Sequence, residues 1–186
     1  MRLWIHLAAS ILLAVAVLGR EAPAQTAGPS QYDVEAVYLF DFAKFVRWPA
    51  EAEHETIAIC VAGQNTYVDT LKKIVAGERI GTRPFEVRAI QKGEEEAGCN
   101  ILFLDSSVKE HLDELLTASA GKPALTVSDI PGFLDRGGMI QFVLTGNRVR
   151  FSVDLRPVAR SGISLSSELL KVAANVNGNP AGGGAL

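Results

Sequence analysis

The sequence predicts an α/β protein, a three-layer sandwich with a mostly parallel central sheet, an antiparallel edge hairpin and helices on both faces. Three observations predict it. Short, nearly unbroken apolar runs such as Thr56 to Ala62 and Ile101 to Leu104 are the pattern of strands buried on both sides. Amphipathic helical segments lie between them, the order that builds parallel sheets. Near the end, two alternating runs close on Thr145-Gly146-Asn147, the composition of a tight hairpin turn.

Taken in order, the first element is a helix from Gln31 to Trp48, stopped by Pro49, which cannot continue a helix and restricts the residue before it. Its polar stripe, Asp41, Lys44 and Arg47, is narrow, and Val34, Val37, Tyr38, Leu39, Phe40, Phe42, Phe45 and Val46 cover most of the circumference. A helix that apolar is either sunk in a core or covered by another chain. Thr56 to Ala62 is a buried strand, Tyr67 to Ala76 a helix closed by Gly77, and Phe85 to Ile90 an alternating strand. Ile101 to Leu104 is a buried strand ending in Asp105, Val108 to Ser119 a helix with Leu112, Leu115 and Leu116 on one face, and Ala124 to Val127 a further strand. In the hairpin arms Met139 to Leu144 and Arg148 to Asp154, alternation turns Val149, Phe151 and Val153 inward and Arg148, Arg150, Ser152 and Asp154 to water. The hairpin is expected at the sheet's edge. A short segment from Leu155 to Arg160 and a helix from Ser166 to Val176 end the domain.

The chain has 186 residues, 48% hydrophobic and 21% charged, with a mean hydropathy of +0.18. Much of that excess sits in MRLWIHLAASILLAVAVLG at the start, followed by small residues around Ala22 to Ala24. This reads as a secretory signal over residues 1–24, cleaved after Ala24. Residues 25–30 read as a flexible spacer, 31–176 as a single domain and 177–186 as a disordered tail. No later run approaches the roughly 20 apolar residues of a spanning helix. The expected state is therefore exported to a bacterial periplasm, with no membrane insertion after cleavage. Without Arg2, Arg20 and Glu21 there remain 16 basic and 20 acidic residues, a balance that argues against a nucleic-acid partner.

No catalytic constellation is legible. HExxH, CxxC, GxSxG and the glycine-rich phosphate loops are all missing from the sequence, so no enzyme, metal or cofactor is expected. His54 lies in a charged loop, and His111 sits among Lys109, Glu110, Asp113 and Glu114 on a solvated helix face. Asp105, closing an apolar strand before Ser106 and Ser107, reads as a helix cap. Cys60 and Cys99 are the only cysteines. A bond between them would close a loop worth about 3 to 4 kcal/mol in the loop-entropy account. In straight, parallel, in-register strands their Cα atoms would stand more than about 7 Å apart, whereas a shifted register or a neighbouring loop would join them. Spacing alone leaves both outcomes open.

Surface candidates follow from composition. Val127 to Met139 is the longest irregular stretch inside the domain and presents Ile130, Phe133 and Leu134 between turn residues, with Ile130, Phe133 and an exposed Arg136 as its candidate contacts. Phe133 also reads as a lid folded back on the core. Together with Tyr38, Phe42 and Phe45 on the first helix and the outward Arg148 and Arg150 of the hairpin, these are the candidate contacts to a partner or a second copy. The alternative is a small-ligand binder with a pocket at the C-terminal strand ends.

Three collinear blocks resemble the YfiR-like family of small secreted proteins: Ala36 to Pro49; Ile57 to Gly63 with Cys99 to Leu104; and Leu125 to Asp129, Gly137 to Phe142, Asn147 to Phe151 and Ser166 to Lys171. They span nearly all of the 31–176 domain. The resemblance implies a regulator that sits in the periplasm as a homodimer. It would hold the periplasmic sensor part of an inner-membrane protein, a diguanylate cyclase or related receptor, inactive, with release raising cyclic di-GMP and favouring biofilm. It also implies a bond between Cys60 and Cys99, which match one of the family's cysteine pairs. A second, later family pair has no counterpart, because no cysteine follows Cys99, and switching that depends on that pair is not carried over.

Overall fold

The computed structural model describes residues 28–90 and 98–178. The signal read at 1–24, residues 25–27 of the spacer and residues 179–186 of the tail lie outside the described residues. Helix α1 (Gln31–Phe45) starts where Ser30 and Asp33 cap each other reciprocally, satisfying donors that the first turn leaves unpaired. Strand β1 (Val46–Arg47) follows, then β2 (Ile57–Ala62), α2 (Asn65–Ile74), β3 (Arg79–Ile80) and β4 (Arg83–Ile90). After them come β5 (Ile101–Leu104), a 3-10 turn Ser106–His111, α3 (Leu112–Ser119), β6 (Leu125–Ser128), β7 (Ile140–Thr145) and β8 (Arg148–Asp154). The last elements are α4 (Leu155–Arg160), β9 (Ser164–Leu165), α5 (Ser167–Val172) and β10 (Asn175–Asn177).

Eight strands form one sheet in the order β10-β8-β7-β6-β5-β2-β4-β3. The pairs β4-β2, β2-β5, β5-β6 and β6-β7 are parallel, and β7-β8 is the antiparallel hairpin. Period-two alternation divides β2 between two cores. Ile57, Ile59 and Val61 join the side closed by α1 and α2, while Ala58, Cys60 and Ala62 join the side closed by α3. This is the expected three-layer α/β sandwich.

Five local expectations are corrected. The first helix ends at Phe45, not Trp48, because β-branched Val46 leaves the helical path to pair with Leu165 of β9, and the Ser166 N–H donates to the Phe45 carbonyl at 2.9 Å. The last helix ends at Val172, and the chain then extends as β10 parallel to β8, with the Ala174 N–H on the Phe151 carbonyl at 2.7 Å. The hairpin is therefore not the edge of the sheet, and Asn177 belongs to β10 and not to the tail. Ser152 and Asp154 are buried, not exposed. Ser152 is covered by β10, and Asp154 caps α4 by accepting from the Arg156 N–H at 2.8 Å.

Candidate functional site

The structure separates the candidate contacts into three groups. Phe42, Ile130 and Phe133 are buried to within 1% of full burial, so they are removed from the contact surface. The reason for Phe42 is helical spacing: Ala36, Leu39, Phe42 and Ala43 form the stripe that α1 lays on the sheet, and the Phe42 ring meets Phe151 edge-on at 5.0 Å. The loop after β6 folds inward because the Ser128 hydroxyl accepts from the Ile130 N–H at 2.9 Å, and the Gly138 N–H donates to the Phe133 carbonyl at 3.0 Å. A Cβ at Gly138 would lie 2.1 Å from the Phe133 ring. Glycine is needed for the ring to seat there. Arg136 stays exposed and donates to the Asp113 carboxylate at 2.7 Å, which holds that carboxyl below the usual aspartate range. Phe45 is partly exposed at the end of α1.

The remaining three, Tyr38, Arg148 and Arg150, converge. They line an open groove of about 880 Å³ between the N-terminal half of α1, the tip of the β7-β8 hairpin and the end of α5, with Leu144, Lys171 and Val172 on its rim. Alternation along β8 sends Arg148 and Arg150 to the same outer face, and Lys171 comes from the last turn of α5. The Arg150 guanidinium donates to the Val172 carbonyl at 3.3 Å, which meets an orphan acceptor at the helix end. Leu144 and Val172 are 59% and 57% exposed. Tyr38 forms the inner wall, its ring edge-on to Phe151 at 5.6 Å. The groove thus combines an apolar lining with three cations.

Gln31 and Leu144 also border a smaller cavity of about 310 Å³ at the C-terminal end of β6, lined by Glu35 and Asp129 as well. Glu35 was not legible as a site residue, being one carboxylate in an apolar run. Its side chain is fully buried, accepting from Gln31 Nε2 at 2.8 Å and from the Tyr67 hydroxyl. Burial pushes the Glu35 carboxyl above its usual range, against the lowering effect of those two donors. Burial likewise raises Asp129. Asp105 fills the neighbouring strand end itself. It accepts from the N–H groups of Gln64 and Ser107 and from the Ser107 hydroxyl, and a Cβ at Gly63 would strike it at 2.1 Å. It acts as the cap read from the sequence. Among the described residues no group of three or more His, Cys, Asp or Glu side chains is placed to hold a metal.

Cys60 and Cys99 are bonded, with Cα atoms 5.8 Å apart. Register explains how. Ile59 pairs with Ile101, so a straight β5 would set Cys99 level with Ile57 and well short of Cys60, but β5 begins only at Ile101 and the chain before it turns at Gly98, whose φ is +77°. Glycine adopts that conformation without strain. Asn100 fixes the entry: its Oδ1 accepts from the Ala58 N–H at 3.0 Å, its Nδ2 donates to the Ala52 carbonyl at 3.3 Å, and its own carbonyl accepts from Trp48 Nε1 at 3.2 Å.

Comparison with solved structures finds a conserved domain protein from Vibrio cholerae O1 biovar eltor, with a TM-score of 0.56 and 8% identity, covering 80% of this chain and 60% of that protein. At that identity the likeness concerns the fold alone, and the chain spans 60% of the relative's length. An ABC domain in complex with L-Trp from Streptococcus pneumonia has a TM-score of 0.48 and 9% identity over 64% of this chain and 55% of that one, a likeness that carries no argument. The family comparison is decisive. The YfiR/HmsC-like family model matches residues 32–174, from the first turn of α1 to the residue before β10, and the chain belongs to the YfiR/HmsC-like family.

Proposed function

We propose that this protein is a periplasmic regulator that binds and represses the periplasmic sensor part of an inner-membrane signalling protein, a diguanylate cyclase, and so controls cyclic di-GMP and biofilm formation. The observation that carries this reading is the family match over residues 32–174. Two features of the molecule support it. The groove at Tyr38, Arg148 and Arg150 is open, with exposed apolar residues beside cations, which suits contact with another protein. The Cys60–Cys99 bond suits an oxidising compartment. No helix of the described residues is long and apolar enough to cross a membrane. In this reading the exported protein is a homodimer.

The test is affinity capture with the exported protein on detergent-solubilised inner membranes, with identification of what is retained. A membrane protein bearing a periplasmic domain and a cytoplasmic cyclase domain is the expected result. Retention of no such protein, with the bait folded and disulfide-bonded, contradicts the reading. Sedimentation of the bait alone checks the dimer.

A further inference from the structure

The groove itself carries a statement about what occupies it. Arg148 and Arg150 stand two residues apart on one face of β8, about 7 Å along the strand, and Lys171 faces them from α5 across the recess. Among the described residues none of the three takes part in an ion pair, whereas Lys44, Arg88, Arg136 and Arg156 all do. Among the described residues no carboxylate lines the groove, although the chain as a whole is acidic, with a net charge of −3. The same recess is lined by Val34, Tyr38 and the partly buried Val149, and Leu144 and Val172 form an exposed apolar rim.

The arrangement selects among occupants. A second copy set groove to groove by a two-fold axis would bring Arg148, Arg150 and Lys171 against their own equivalents, and like charges across an interface are strongly unfavourable. A free small anion would leave the apolar rim uncovered. A segment with carboxylates along one side and apolar side chains along the other satisfies both features, in the helix-in-groove manner. We propose that the groove docks an acidic amphipathic segment of a partner protein, its carboxylates on Arg148, Arg150 and Lys171 and its apolar side chains on Tyr38, Val149 and Val172. This rests on the regulatory reading above in taking the occupant to be protein.

The probe is a synthetic amphipathic helical peptide of Glu, Leu and Ala, about 18 residues long, or ~27 Å as a helix, titrated into the exported protein while backbone amide resonances are followed. Expected are shifts confined to Leu144, Val149, Val172 and their neighbours, and an affinity that falls about tenfold or more between ~50 and ~500 mM salt as the cations are screened. The pair Arg148→Glu and Arg150→Glu together should weaken binding by at least about tenfold in a protein that stays folded and disulfide-bonded. The milder pair Arg148→Gln and Arg150→Gln should give a smaller loss, and a Lys-for-Glu peptide should bind the reversed variant in preference to the native protein. Equal binding of a Gln-for-Glu peptide, shifts centred elsewhere, or no shift at all would overturn the proposal. So would tighter groove binding to phosphatidylglycerol vesicles than to the peptide, or self-association abolished by the reversed pair. Capture of the membrane partner by the reversed variant as well as by the native protein removes the groove but keeps the regulator; peptide binding with no partner captured does the opposite.

Discussion

One face of the sheet is closed by α1, α2 and α5 around the buried rings of Phe42, Tyr67, Phe103, Phe142 and Phe151, whereas the other carries α3, the small residues Ala58, Cys60 and Ala62, and the single buried ring of Phe133. The first face is held by many large apolar contacts, including stacked and edge-on ring pairs, each adding to area burial. The second has less apolar volume and is held by a covalent bond and a loop folded back on itself. The difference teaches where each kind of stabilisation is needed: a thin layer of alanines leaves room for a disulfide, and the disulfide offsets the burial that alanines do not provide.

Breaking each face in turn tests this division. Phe42→Ala should have the largest effect, a loss of about 3–5 kcal/mol in denaturant unfolding, since it removes a ring in contact with Phe142 and Phe151. On the thin face, replacing both Cys60 and Cys99 by Ala should cost about 3–4 kcal/mol, and reductant should reproduce that loss in the native protein but not in the double variant. Should reductant leave the unfolding midpoint where it was, the covalent account of that face fails. Gly138→Ala should cost about 1–3 kcal/mol by displacing Phe133, which a lowered melting midpoint would register. Arg136→Ala, removing an exposed pair with Asp113, should leave the midpoint where it is, because exposed pairs contribute little.

A pH titration sharpens the same comparison, since the aromatic face contains the one buried carboxylate of α1. Burial raises the folded-state value for Glu35 above its ordinary 4.5, so the folded protein holds a proton that the unfolded chain releases. That contribution is complete below the ordinary value and is lost as pH rises through the raised one. Stability of the native protein should therefore fall across that window, and Glu35→Gln should flatten this part of the profile. An unchanged slope in the variant would show that Glu35 does not titrate there.

The layers, the parallel strands and the hairpin were legible because each is a local pattern: continuous apolar runs, 3.6-residue stripes and a Gly-Asn turn. What was missed depends on partners distant in sequence. Alternation in β8 said that Ser152 and Asp154 face water, and nothing in those seven residues announces that β10 pairs alongside or that Asp154 caps α4. The paired fate of Val46 and Leu165 is equally non-local. Phe42 and Phe133 looked like contact residues because an aromatic in an apolar helix or in a turn-rich loop reads the same whether it points inward or outward; the stripe of Ala36, Leu39 and Ala43 laid on the sheet settles Phe42, and Gly138, lacking a Cβ beside the ring, settles Phe133. The bond between Cys60 and Cys99 was obscured by treating the approach to β5 as straight strand, when the chain turns at Gly98. Of the site, Tyr38, Arg148 and Arg150 were legible one by one, but their convergence with Lys171 and Val172 on one groove was not.

The function proposed for this chain is to restrain a cyclic di-GMP-producing partner. Its most direct test is the cellular cyclic di-GMP level in a strain deleted for this chain and in the same strain with the gene restored. The account predicts a rise on deletion, reversed by the native protein and not by one carrying Arg148→Glu with Arg150→Glu. A level that stays the same on deletion and restoration would contradict it.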